Sequence, residues 1–88
     1  MFKNIYKGKT VFITGHTGFK GSWLSIWLEN LGANVIGYSL PAPTQGLFNI
    51  LNLKTKITHI EGNICDYNLL ESSIKKYQPE FIFHMAAQ

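Results

Sequence analysis

The apolar positions of this chain switch between two periods. Residues Thr10 to Thr14 (T-V-F-I-T) form a β-branched and aromatic run bounded by the turn-forming Gly8 and Gly15, the mark of a short strand buried on both faces. Beyond it Trp23, Leu24, Trp27, Leu28 and Leu31 recur at helical spacing, which predicts that they share one stripe of a helix. Gly32 stands where the C-terminal end of that helix calls for a residue at positive φ. Asn34 to Ser39 (N-V-I-G-Y-S) reads as a second strand, closed by Pro41 and Pro43 because proline cannot continue a ladder.

Residues 40 to 56 read as a loop with a short helical turn over Leu47–Leu51. Ile57 to Glu61 alternates and predicts a third strand. Asp66 is placed to cap a helix running through Tyr77, with Leu69, Leu70, Ile74 and Tyr77 on its inner side. Pro79 ends that helix, and Phe81 to Met85 makes a fourth strand. Such alternation forces parallel pairing through right-handed crossovers. The expected fold class is therefore α/β, the first half of a doubly wound parallel (Rossmann) sheet in strand order 3-2-1-4. Gln88 comes soon after the fourth strand, so residues 1–88 are expected to be the N-terminal part of a nucleotide-binding domain, truncated there and without its substrate domain.

Composition narrows the picture. A chain of 88 residues supports one modest core. Apolar residues make up 45% and charged ones 15%, so the chain has more apolar surface than it can cover by itself. The net charge of +3 comes from eight lysines spread along the sequence, with no arginine, unlike the clustered basic face of a nucleic-acid binder. Neither nucleic acid nor a membrane is expected as a partner, for no apolar run approaches a membrane span. Cys65 is the sole cysteine, which leaves no internal disulfide and points to a cytoplasmic location by default.

The strongest chemical signal is Thr14-Gly15-His16-Thr17-Gly18-Phe19-Lys20-Gly21, set between a buried strand and an amphipathic helix. Gly15 lets the chain turn sharply off the strand, Gly18 lets the backbone approach a pyrophosphate, and Gly21 lets the helix pack close to the strand. The free N–H groups of the first helical turn then face phosphates, with the helix dipole adding attraction. Gly15, His16, Thr17, Gly18, Phe19, Lys20 and Gly21 are accordingly candidate cofactor-binding residues.

The G-x-x-G-x-x-G spacing after a threonine resembles the extended short-chain dehydrogenase/reductase (NAD-dependent epimerase/dehydratase) family. The fuller string T-G-H-T-G-F-K-G-S-W-L is similar, more narrowly, to the CDP-glucose 4,6-dehydratases, with His16, Lys20 and the Trp23-Leu24 pair carrying that likeness. It continues through Gly32-Ala33, Val35, Gly37-Tyr38, Pro41, Pro43-Thr44 and His84-Met85-Ala86-Ala87-Gln88. The resemblance implies NAD as cofactor, since a hydride is taken and returned within one turnover. It implies a nucleotide-sugar substrate held by a C-terminal part, and a homodimer for the full-length protein.

At the end of the second strand, NAD enzymes of this fold usually carry a carboxylate and NADP enzymes a basic residue nearby. Ser39 stands there instead, able to exchange one hydrogen bond with a ribose hydroxyl, so NADP stays open beside NAD. His16 and Lys20 can meet a 2′-phosphate or the pyrophosphate, or be partly exposed loop residues. The family pattern after the third strand implies that Asn63 and Ile64 frame the adenine, Asn63 taking the place of an aspartate and accepting through its side-chain carbonyl. Ala86, Ala87 and Gln88 lie at the carboxyl end of the fourth strand, beside the expected nicotinamide ribose. Asp66 reads as a helix cap, Cys65 has no assigned role, His84 reads as a packed core histidine and His59 as a surface or structural one.

The resemblance also implies a reaction: hydride leaves C4 of the hexose, water is lost across C5–C6, and the hydride returns to C6. The family's Tyr-x-x-x-Lys pair is not here, for Tyr6, Tyr67 and Tyr77 each lack a lysine four residues on. No catalytic and no metal-binding residue is expected within these 88 residues, and no turnover by them alone. Two further readings stay open: part of another nucleotide-sugar epimerase or reductase, and a stand-alone dinucleotide-binding module without catalysis.

Overall fold

A computed structural model describes residues 5–42 and 46–86. Four strands, β1 (Thr10–Thr14), β2 (Asn34–Ser39), β3 (Thr58–Glu61) and β4 (Phe81–His84), form one parallel sheet in the order β3-β2-β1-β4. Helix α1 (Phe19–Asn30) crosses from β1 to β2, a short helix α2 (Leu47–Ile50) and a 3₁₀ turn (Leu53–Thr55) lead into β3, and α3 (Tyr67–Tyr77) crosses to β4. Both the fold class and the strand order match the expectation. The differences lie at ends: β3 starts at Thr58, one residue late, and β4 stops at His84 rather than Met85.

Alternation along the strands sorts the core into two layers. Val11 and Ile13 of β1 and Val35 of β2 face α1, where they meet Leu28, Ala33, Phe48, Leu53 and Ile57. Phe12, Ile36 and Tyr38 face the other way and pack against Ile60, Ile64, Leu70, Ile74 and Tyr77. The Phe12 and Tyr38 rings stack at 6.2 Å. Asp66 caps α3 as predicted, its side chain accepting from the Leu69 N–H at 3.2 Å. Leu69 itself is a correction, for it lies at the exposed rim, while Leu70, Ile74 and Tyr77 face inward.

The larger correction concerns α1. Its buried side is Gly21, Ser22, Ser25 and Leu28, whereas Trp23 and Trp27 are 54% and 48% exposed. Proximity explains this. A Cβ built on Gly21 would stand 2.2 Å from the Gly15 carbonyl oxygen, so the helix lies too near the strand for large side chains at that end. The buried serines remain satisfied, Ser22 donating to the His16 carbonyl at 2.9 Å and Ser25 to the Gly21 carbonyl at 2.7 Å. Gly32 closes the helix at φ 89°, as expected.

His84 is likewise not a core residue. It points to the face that α3 covers over β2 and β1 but not over β4, and it is exposed, as is Ile82. Its Nδ1 lies 2.6 Å from Thr14 Oγ1.

Candidate functional site

The carboxyl ends of the four strands open into one cleft of about 550 Å³. Its floor is the turn after β1, where Gly15 sits at φ 81°. A side chain there is excluded twice over: by that backbone conformation, and because a Cβ would meet the Ala86 backbone nitrogen at 2.5 Å. The turn after β1 and the chain leaving β4 are thus in backbone contact. Gly18 differs, since the nearest atom to its Cβ position is 3.6 Å away. Among the described residues no atom stands close enough to demand glycine at Gly18, and the space in front of it is open.

Helix α1 begins at this turn with Gly18 as N-cap, no side-chain capping bond and no acidic residue in its first turn. Its leading N–H groups and the positive end of its dipole are therefore left for an anion. Thr17 and Ser39 form one wall. Their hydroxyls are buried and 2.7 Å apart, and Thr17 also reaches the Leu40 carbonyl at 3.3 Å. The opposite wall is Gly62 to Cys65. Asn63 is fixed by its own backbone: its side-chain oxygen accepts from the Cys65 N–H at 2.8 Å, and its carbonyl accepts from the Tyr38 hydroxyl at 2.8 Å. Burial pushes the Tyr38 phenol above its ordinary value, with Asp66 adding to the effect. A Cβ on Gly62 would strike that hydroxyl at 2.6 Å, so the glycine is what lets Tyr38 reach the loop.

Of the residues singled out in the sequence, Gly15, Thr17, Gly18, Ser39, Asn63, Ile64 and Ala86 line the cleft. Ala87 and Gln88 lie outside the described residues. Phe19 and Lys20 are exposed at the start of α1 and are not among the lining residues, while Gly21 serves the packing of the helix. Sequence reasoning missed Leu40, Pro41, Met85 and Cys65, all of which line the cleft. Cys65 carried no signal because its place depends on the Asn63 turn. Among the described residues no group of three or more His, Cys, Asp or Glu is arranged to hold a metal ion.

His16 corrects both readings offered for it. Its side chain is neither at the phosphates nor in an exposed loop but fully buried on the α1 face of the sheet. Its ring lies under Gly37, where a Cβ would come within 2.3 Å of it, and edge-on to Phe48 at 5.1 Å. Nε2 is 2.6 Å from His59 Nδ1, and His59 Nε2 is in turn 3.2 Å from Glu61. Burial first, and the neighbouring His59 second, lower His16 from the ordinary 6.5 to about 4, so it is neutral at physiological pH.

Comparison with known proteins agrees with this geometry. Residues 12–88 match the model of the family described as GDP-mannose 4,6 dehydratase. Over 87 residues the chain is 54% identical to the CDP-glucose 4,6-dehydratase of Salmonella typhimurium, covering 98% of this chain and 24% of that protein. Among solved structures, the WbmH enzyme of Bordetella bronchiseptica in complex with NAD+ is 33% identical at a TM-score of 0.76, covering 92% of this chain and 27% of that one. The epimerase Mth375 of Methanothermobacter thermautotrophicus is 30% identical at a TM-score of 0.77, covering 98% of this chain and 25% of that one. The chain thus spans about a quarter of the length of these relatives.

Proposed function

We propose, because this chain belongs to the GDP-mannose 4,6 dehydratase family, that its cleft binds NAD on behalf of a nucleotide-sugar 4,6-dehydratase acting on CDP-glucose. The observation that carries the reading is the uncapped start of α1 over the open space at Gly18, with the Thr17–Ser39 hydroxyl pair beside it. The leading amides of α1 hold the pyrophosphate. Thr17 and Ser39 offer hydroxyls, and no carboxylate, to the adenine-side ribose. Asn63 and Ile64 wall the adenine, and Ala86 leaves room for the nicotinamide end. NAD, when bound, supplies the hydride acceptor that takes hydrogen from C4 of the hexose and gives it back at C6.

The Tyr-x-x-x-Lys pair, the acid/base groups of the elimination and the sugar site belong to parts of the protein beyond these residues. The same reading makes the whole protein a cytoplasmic homodimer. The described residues include no helix long and apolar enough to cross a membrane.

Calorimetric titration with NAD and NADP tests the cofactor. We expect NAD to bind, NADP to bind more weakly, and Ser39→Ala to cost roughly tenfold in affinity, the worth of about one hydrogen bond. Failure of both dinucleotides sinks the reading. For the reaction, the full-length protein incubated with CDP-glucose should yield a product one water lighter by mass spectrometry. A product of unchanged mass would instead favour the epimerase reading, for which the Mth375 neighbour speaks.

A further inference from the structure

The wall of the cleft from Gly62 to Cys65 contains one polar side chain, Asn63, whose amide carries an acceptor and a donor on the same fork. The protein itself decides which of the two a ligand can meet. The Asn63 side-chain oxygen accepts from the Cys65 N–H at 2.8 Å, and a backbone N–H can be met only by the oxygen end of an amide. Turning the fork over would set the side-chain NH2 against that N–H, donor against donor. The carbonyl expected from the sequence to accept from adenine is therefore already engaged within its own turn.

The backbone of the residue is held as firmly. The Asn63 carbonyl accepts twice, from the Tyr38 hydroxyl at 2.8 Å and from the Asp66 N–H at 2.9 Å. Tyr38 is fully buried in the layer under α3, so its hydroxyl pins the loop from a fixed base. Both oxygens of Asn63 are thus bonded inside the protein. What its exposed side chain has left to offer is the NH2, which has no partner among the described residues. Leu40 and Ile64 line the same cleft and give it the apolar surface that suits the flat face of a base.

We propose that Asn63 reads the base as a hydrogen-bond donor, so that the cleft recognises a ring nitrogen of adenine and ignores its 6-amino group. The proposal rests on the reading that the cleft takes a dinucleotide with its adenine at Asn63 and Ile64. It makes Asn63 a specificity-determining residue whose preference one atom inverts. An aspartate there keeps one oxygen for the Cys65 N–H and turns its second oxygen, an acceptor, to where the NH2 stood. The two side chains share a shape, so the exchange changes polarity and charge and leaves the turn intact.

The test compares two dinucleotides by calorimetric titration of the full-length protein. One is NAD; the other is nicotinamide purine dinucleotide, which lacks the 6-amino group and keeps every ring nitrogen. The native protein should bind the two within about twofold of each other. Asn63→Asp should bind the purine analogue about tenfold more weakly than NAD, the worth of one hydrogen bond to the amino group. Each ratio is taken within one protein, so the charge added by the aspartate cancels. A loss of about tenfold already present in the native protein overturns the inference, for the amino group is then read. Equal ratios in the two proteins overturn it as well, and either result leaves the cofactor reading standing. No binding of either dinucleotide by the native protein overturns both. Should the variant fail to fold, NMR of the Asn63 side-chain NH2 in the native protein decides. Protons that move downfield with NAD and with the purine analogue alike support donation, and protons that move with neither refute it.

Discussion

The two crossover helices obey opposite packing rules. α3 stands off from the sheet on Leu70, Ile74 and Tyr77, with a capping aspartate at its start, as an ordinary amphipathic helix does. α1 lies against the sheet on Gly21, Ser22 and Ser25 and turns two tryptophans outward. It has no capping side chain, and that is the arrangement a phosphate requires: amides close to the turn and not already taken. Closeness was obtained by removing side chains, at the expense of the hydrophobic contact that α3 enjoys. The contrast separates a helix held by side-chain packing from one that keeps its leading amides free at a close approach to the sheet.

The sharpest way to break the contrast is Gly21→Ala. On propensity alone, alanine in a helix is better than glycine by about 1 kcal/mol. At this position its Cβ would fall 2.2 Å from the Gly15 carbonyl oxygen, so we expect a net loss of about 3 kcal/mol or more, read by urea denaturation, together with loss of NAD binding. Stabilisation by this change would refute the close packing of α1.

Next in size is acid. The folded His16 value of about 4 lies below the ordinary 6.5, so the unfolded chain takes the proton more readily. The contribution is present above pH 6.5 and lost as pH falls toward 4, up to roughly 3 kcal/mol in all. Denaturation midpoints across that window should fall in the native protein and change less in His16→Gln. On the other helix, Asp66→Ala should cost about 1 kcal/mol as the cap bond to Leu69 is lost, with NAD affinity untouched in the folded protein. The smallest effect belongs to Trp23→Gln. A half-exposed side chain outside the core should shift stability by about 0.5 kcal/mol or less, and a thermal midpoint that drops far beyond this would put Trp23 back in the core.

Much of this was legible in the sequence, and the misses have a common cause. β1, β2, the Asp66 cap and the order 3-2-1-4 followed from signals local to each segment: β-branched runs, a proline, an aspartate three residues before the amide it caps. The face of α1 did not, because a surface of Gly21, Ser22 and Ser25 has no hydrophobic period to detect, and the tryptophans supplied a misleading one. His16 was unreadable for a different reason. Its burial depends on Gly37 and His59, both remote in sequence, which vacate space and supply a partner only once β2 and β3 lie side by side. His84 shows the converse, a strand residue whose neighbours predicted a cover that α3 does not extend to β4. For the cleft, the glycine turn, Ser39, Asn63 and Ile64 were visible as motif positions, whereas Cys65 and Met85 enter only through the path of the loops.

The strand order has a kinetic consequence. β1 reaches β2 across a separation of 24 residues but reaches β4 across 70, a difference worth about 1 kcal/mol of loop-closure entropy. Non-local pairing of this kind is slow. The β1–β2 pair with α1 between them can assemble early, and the backbone contact of Gly15 with Ala86 that completes the floor of the cleft must wait for the far end of the chain. The glycine turn is thus made first from local parts and trued last, when β4 arrives on its other side.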